Sequence, residues 1–187
     1  MKSTRLIALG AALAFHAAGA ASAAPARPEA VRAVLRAPEP ARMTADDWRR
    51  LGDDVDVQLI GAAGDAKLVF GARQRAMTAL GMLGGTRARV YLDTVLVTRD
   101  TPAPLLSSAV LAYARAFAKE DPAGAQRLAA AVLAHPDWQA RRGAAKAMGM
   151  IGGEAARAAL RAQESRETHP AVRYAIEGAL RERSVSR

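Results

Sequence analysis

The chain has no cysteine. That absence removes disulfides, thiolate nucleophiles, cysteine-ligated zinc, iron–sulfur clusters, thioether-linked cofactors and lipidation of an N-terminal cysteine. Aromatic residues are nearly as scarce: three Phe, two Trp and three Tyr in 187 residues, too few to line a large aromatic pocket. Of three histidines, His16 sits in the N-terminal apolar stretch, leaving His135 and His169 for the rest of the chain. The longest apolar run starts at Leu6 and is interrupted at His16, short of the roughly 20 residues a membrane-spanning helix needs. What the chain has in excess is alanine, 47 residues, within a 51% hydrophobic composition. Alanine is the best helix former and is depleted in strands, which argues against a β-sandwich or barrel. The length suits one ordinary domain with a sizeable core of Ala, Leu and Val.

Lys2 and Arg5 form a short basic region, Leu6 to Phe15 an apolar one, and Ala21-Ser22-Ala23 a small-x-small cleavage motif. This is the pattern of a secretory signal peptide cut between Ala23 and Ala24, with a membrane anchor as the competing reading. The expected division is a signal peptide at 1–23, a Pro/Ala-rich linker or N-terminal arm at 24–42 and a repeat domain at 43–187. Within the arm, Glu29 to Arg36 reads as a short helical piece. The expected compartment is periplasmic or extracellular, and loss of Lys2 and Arg5 leaves a net charge of +7 from the +9 of the whole chain.

Internal repetition decides the fold. Ala72-Arg73-Gln74-Arg75-Ala76-Met77-Thr78-Ala79-Leu80-Gly81-Met82-Leu83-Gly84-Gly85 overlays residues 140 to 153 at an offset of 68, with eight identities in fourteen. A third copy runs from Ala171 to Leu180, and Ala109 to Ala114 fills the midpoint of the offset. The period is therefore 32 to 34 residues. Ala140, Ala144, Ala147, Met148 and Ile151 share one helical face, as do Ala125, Leu128, Ala129, Val132 and Leu133 in the segment before. Each unit is thus two helices. Asp121-Pro122 and Thr44-Ala45-Asp46-Asp47 are N-terminal signals, with Trp48, Leu51, Val55 and Leu59 continuing one stripe after the second of them. Gly84-Gly85 and Gly152-Gly153 are stop signals, expected to supply a left-handed residue. Val90 to Val97 is β-branched and favours a strand by propensity, whereas its place in the period predicts a first helix.

The pattern Arg-x-x-Ala-x-x-Ala-Leu-Gly-x-Leu-Gly-Gly, with His-Pro-Ala-Val-Arg-Tyr-Ala near the C-terminus, resembles HEAT repeats, especially the short bacterial kind named after the phycobilisome lyases. The resemblance covers residues 43 to 183. It implies an all-α fold, an α-solenoid (superhelix) of about four HEAT-like helix pairs whose second helices line a concave surface. It further implies that Arg73, Arg141 and Arg173, which share one repeat position, form a structural ladder with acids near neighbouring second helices, a role that suits Asp137.

Charge is unevenly spread. Residues 43–65 carry a net −4, and residues 66–187 a net +9. Two readings fit: a basic surface for an acidic protein, nucleic acid or anionic lipid, or a solvated surface that keeps an alanine-rich array soluble. His135 and His169 occupy His-Pro turns one repeat apart, too distant for a shared metal. Trp48, Trp138 and Tyr113 are spread along the array, which disfavours the aromatic-and-aspartate cleft of HEAT-like DNA glycosylases. No catalytic, cofactor or metal constellation is legible. The expectation is an exported, non-enzymatic protein-binding scaffold, with Gln74, Arg75, Arg142, Lys146 and Tyr174 as contacts to a protein partner that is acidic if the basic face meets it. The alternatives are a nucleic-acid-binding or base-processing protein and a structural subunit of an envelope complex. Ala76 and Ala144 mark the helix seam, so replacing either by Arg should cost several kcal/mol, to be read as a lowered midpoint in thermal melts.

Overall fold

Glycine punctuation and alanine-rich stripes yield ten helices and no strand among the described residues, which are 25–37 and 43–181 of a computed structural model. The expected signal peptide at 1–23, residues 24 and 38–42 of the expected arm, and residues 182–187 lie outside them. The helices are α1 (Pro28–Arg36), α2 (Ala45–Arg49), α3 (Val55–Gly64), α4 (Phe70–Leu83), α5 (Gly85–Val97), α6 (Ala103–Phe117), α7 (Pro122–Leu133), α8 (Trp138–Ile151), α9 (Gly153–Glu164) and α10 (Pro170–Arg181). The chain pairs them as α3/α4, α5/α6, α7/α8 and α9/α10. Second helices begin at 70, 103, 138 and 170, and they pack in that order as one layer backed by the first helices. This is an α-solenoid of four helix pairs.

The segment of conflicting propensity, Val90 to Val97, is helical. Ala88, Leu92 and Leu96 recur at helical spacing and are buried, while Val90 and Val97 are exposed. Packing of that stripe overrides β propensity, and the Thr94 and Thr98 hydroxyls donate to the carbonyls one turn back. The expected stripe from Trp48 to Leu59, by contrast, is broken into α2 and α3. Gly52 between them has φ 140°, a backbone conformation that ends the helical run. Thr44 and Asp47 do form a reciprocal capping box, with Asp in the place usually held by Glu or Gln.

The glycine pairs make one-residue corners. Gly84 closes α4 and opens α5, and Gly152 does the same for α8 and α9, at φ 66° and 68° with ψ near −150° and −160°. That is the region essentially reserved for glycine and not the left-handed helical one expected from the sequence, because the corner must start a new helix at once.

Second helices meet through small residues. A Cβ added at Gly81 would lie 2.6 Å from Ala112 Cα, one at Gly143 2.6 Å from Ser107 Cα, and one at Gly149 2.8 Å from Ala179 Cβ. These three contacts join α4 to α6, α6 to α8 and α8 to α10. At the N-terminal edge the described residues hold no earlier second helix, and α1 packs there on α3 and α4 with Val31 and Leu35 buried. The 68-residue offset places Arg75 where α8 has Gly143. With no close helix beside it, Arg75 has room for a long side chain, which reaches the Ala37 carbonyl at the end of α1.

Gly81→Ala and Gly61→Ala should have opposite effects. The first forces α4 and α6 apart and should cost about 1–3 kcal/mol. The second adds a methyl into open space on α3 and should stabilise by about 0.5–1 kcal/mol. Urea unfolding of the two variants checks the pair.

Candidate binding face of the second helices

Three sides of α8 are covered, by α6, α7 and α10. The strip left free runs through Gln139, Arg142, Lys146 and Met150, of which the last three are exposed. On α6 the matching strip is Ser108, Leu111 and Arg115, with Arg115 exposed. On α10 it holds Tyr174, 73% exposed, and on α4 it holds Gln74 and the exposed Thr78. The face is therefore uncharged and small on α4, and cationic from Arg115 onward. Beside Arg115 it dips into an open groove of about 430 Å³ lined by Met82, Phe117 and Glu120 at the C-terminal ends of α4 and α6.

Among the five contact candidates read from the sequence, Arg142, Lys146 and Tyr174 are exposed on this face. Gln74 is half-buried and spends its amide on the Pro104 carbonyl at 3.1 Å, tying α4 to the first turn of α6. Arg75 is turned away toward α1, as described above. Arg115 and Met150 were missed. Their signal was present in the register, since each lies two turns beyond a polar residue of its own strip, Ser108 and Arg142 respectively.

Of the three arginines expected to form a ladder, Arg141 pairs with an acid, and that acid is Glu167, not the expected Asp137. Arg141 forms a bidentate pair with Glu167, both bonds 2.8 Å, and donates its remaining nitrogen to the His135 carbonyl. Asp137 instead caps α8 by accepting the Gln139 N–H at 2.7 Å. Arg73 binds the Ala63 carbonyl and lies over the Phe70 ring, and Arg173 is exposed. Ala156, Leu160 and Gln163 of α9 and Glu167 just past its end recur at helical spacing, and all are buried, two of them polar. Gln163 donates to Glu167, as does the His169 N–H. The Arg141 guanidinium chiefly, helped by these two donors, holds the Glu167 carboxyl at about 2.

The two His-Pro turns are alike. His135 Nδ1 accepts the Asp137 N–H at 3.0 Å and His169 Nδ1 the Ala171 N–H at 3.2 Å, which fixes each ring at the entrance of a second helix. The His169 ring also stacks on Trp138, with centroids 4.3 Å apart. No group of three or more His, Cys, Asp or Glu is gathered for a metal among the described residues. No described helix is long and apolar enough to cross a membrane.

No protein-family model matches the chain, and no curated protein matches it by sequence. Among solved structures, human deoxyhypusine hydroxylase in complex with glycerol is similar at a TM-score of 0.51 and 22% identity. The fold is a HEAT-like α-solenoid. The match covers 82% of this chain and 60% of the hydroxylase, so the chain spans less than two thirds of that enzyme. It also corrects the expectation of a non-enzymatic scaffold. That solved structure is an enzyme, so the lack of a legible catalytic constellation in a stack of helix pairs is no ground for excluding catalysis.

Glu167 titrates below its ordinary value of 4.5 in the folded chain. Its contribution is therefore full above about pH 5 and is lost as pH falls toward 2, at most about 3 kcal/mol. Glu167→Gln strands the Arg141 charge and should cost about 3–5 kcal/mol at pH 7. Urea unfolding at pH 7, 5 and 3 should also show a flatter acid limb for this variant than for the parent.

Proposed function

We propose that the chain is an exported HEAT-like protein that holds an acidic segment of a protein substrate against α6, α8 and α10. The observation that carries this reading is the exposed cationic strip of Arg142 and Lys146, flanked by Arg115, on the one side of the second-helix layer that packing leaves free. Unlike charge across such a face steers encounter and sets register. Tyr174 and Met150 add apolar area beside the cations, which suits a polypeptide. Nucleic acid is less favoured, because single strands are gripped by stacking on several aromatic side chains and Tyr174 stands alone as an exposed aromatic among the described residues of this face. The likeness to an enzyme supports treating the held segment as a substrate. Export rests on the Lys2/Arg5, Leu6–Phe15 and Ala21-Ser22-Ala23 pattern. The repeat units are assigned to the short bacterial type on their Arg-x-x-Ala and Leu-Gly-Gly pattern.

Fluorescence anisotropy with a labelled twenty-residue Glu/Gly/Ser peptide tests the reading. The peptide should bind in low salt and weaken several-fold between about 50 and 300 mM NaCl, where exposed charges are screened. Reversing both cations (Arg142→Glu with Lys146→Glu) should raise Kd at least tenfold with the melting midpoint unchanged. Equal binding by the reversed protein, or tighter binding of duplex DNA than of peptide, would overturn it.

A further inference from the structure

The groove beside Arg115 lies where two helices stop. Gly84 turns the chain at the end of α4 and donates its N–H to the Leu80 carbonyl at 2.9 Å. The carbonyls of Gly81, Met82 and Leu83 then meet no further turn of their own helix. α6 ends on the same groove at Ala116 and Phe117, so the negative ends of two helix dipoles share one opening. Glu120 adds a full negative charge to its wall. That carboxylate is exposed and has no ion-pair partner among the described residues. Met82 and Phe117 supply apolar wall beside these acceptors, and the exposed Arg115 stands on the side that joins the free strip of α6.

Such a groove suits a ligand with a cation, an apolar group close to it and an acid on the Arg115 side. The start of a polypeptide has all three, because its ammonium and its first side chain leave the same Cα and acids can follow at once. A lysine side chain carries its ammonium at the end of a four-carbon stem and brings no second apolar group. Neighbouring second helices lie about 8–10 Å apart, a span that an extended chain covers in about three residues. A segment that begins in the groove thus brings its first acids to Arg115 and later ones to Arg142 and Lys146.

We propose that the groove at the ends of α4 and α6 captures the free N-terminus of the held segment. Its ammonium sits on Glu120 and the last carbonyls of α4, and its first side chain, an apolar one, lies against Met82 and Phe117. The face therefore selects the beginning of an acidic chain over its middle and fixes the direction in which that chain runs. The inference rests on the docking face proposed above and adds a starting point to it.

Three twenty-residue Glu/Gly/Ser peptides, each labelled at its C-terminus, test this by fluorescence anisotropy at pH 7, where an α-amino group is mostly charged. One begins with Leu and a free amine, one with N-acetylated Leu, and one with Gly and a free amine. The free-Leu peptide should bind at least about tenfold tighter than the acetylated one, as loss of a charge-assisted contact predicts, and at least about threefold tighter than the Gly peptide. Glu120→Gln changes an exposed side chain and should leave the melting midpoint in place. It should cut the ratio of free to acetylated affinity at least about threefold. If acetylation costs nothing while Arg142→Glu with Lys146→Glu still weakens binding, the amine is not read, and the inference falls with the docking face intact. If acetylation does cost affinity but the ratio is the same in the Glu120→Gln protein, the N-terminus is held elsewhere and the inference is overturned. If the double reversal leaves all three peptides bound as before, the docking face fails and the inference fails with it.

Discussion

The close approach of successive second helices governs the rest of the structure. Gly81 against Ala112, Gly143 against Ser107 and Gly149 against Ala179 leave no space for a side chain at those crossings. Helices that near each other exclude large side chains, so the core between them is built of alanine: Ala76, Ala109, Ala144 and Ala147 are fully buried. Dispersion between many small atoms replaces the few large contacts an aromatic core would make. The same closeness fixes what remains exposed. With neighbours on three sides, the inner second helices α6 and α8 each have a single free strip, and its residue types decide what the protein meets.

Much of this was legible in the sequence because it is local and periodic. The thirty-odd-residue repeat, the helical stripe around Ala140, the turn role of His135 and His169 and the outward position of Arg142 and Lys146 follow from spacing alone. Even Val90 to Val97 yielded to the period. What spacing could not reach depends on residues far apart in the chain. The sequence offered Asp137 for Arg141, and only the connection from α9 to α10 brings Glu167 to it. Arg75 stands where its repeat partner is Gly143, because α4 lies at an edge where α1 packs in place of a second helix.

The break between α2 and α3 has the same origin. Trp48, Leu51, Val55 and Leu59 keep a helical rhythm across residues 50–54. The backbone turns there because Gly52 and Asp54 are committed to Ala26, 26 and 28 residues earlier in the chain. A pattern of apolar residues carries no record of that appointment. The non-enzymatic reading failed for a related reason: the lack of a recognisable constellation along the chain says little about what a solenoid can assemble from separate units.

The glycine corners carry a consequence for how such an array grows. They join α4 to α5 and α8 to α9, whereas α6 reaches α7 through an ordinary turn at Ala118 to Asp121. The faithful copy is thus a four-helix block, α3 to α6 against α7 to α10, and the 68-residue offset is its length. Duplication or deletion in whole blocks preserves the alternation of sharp and open bends. An odd number of helix pairs would set two bends of one kind in succession and change the course of the superhelix at that point.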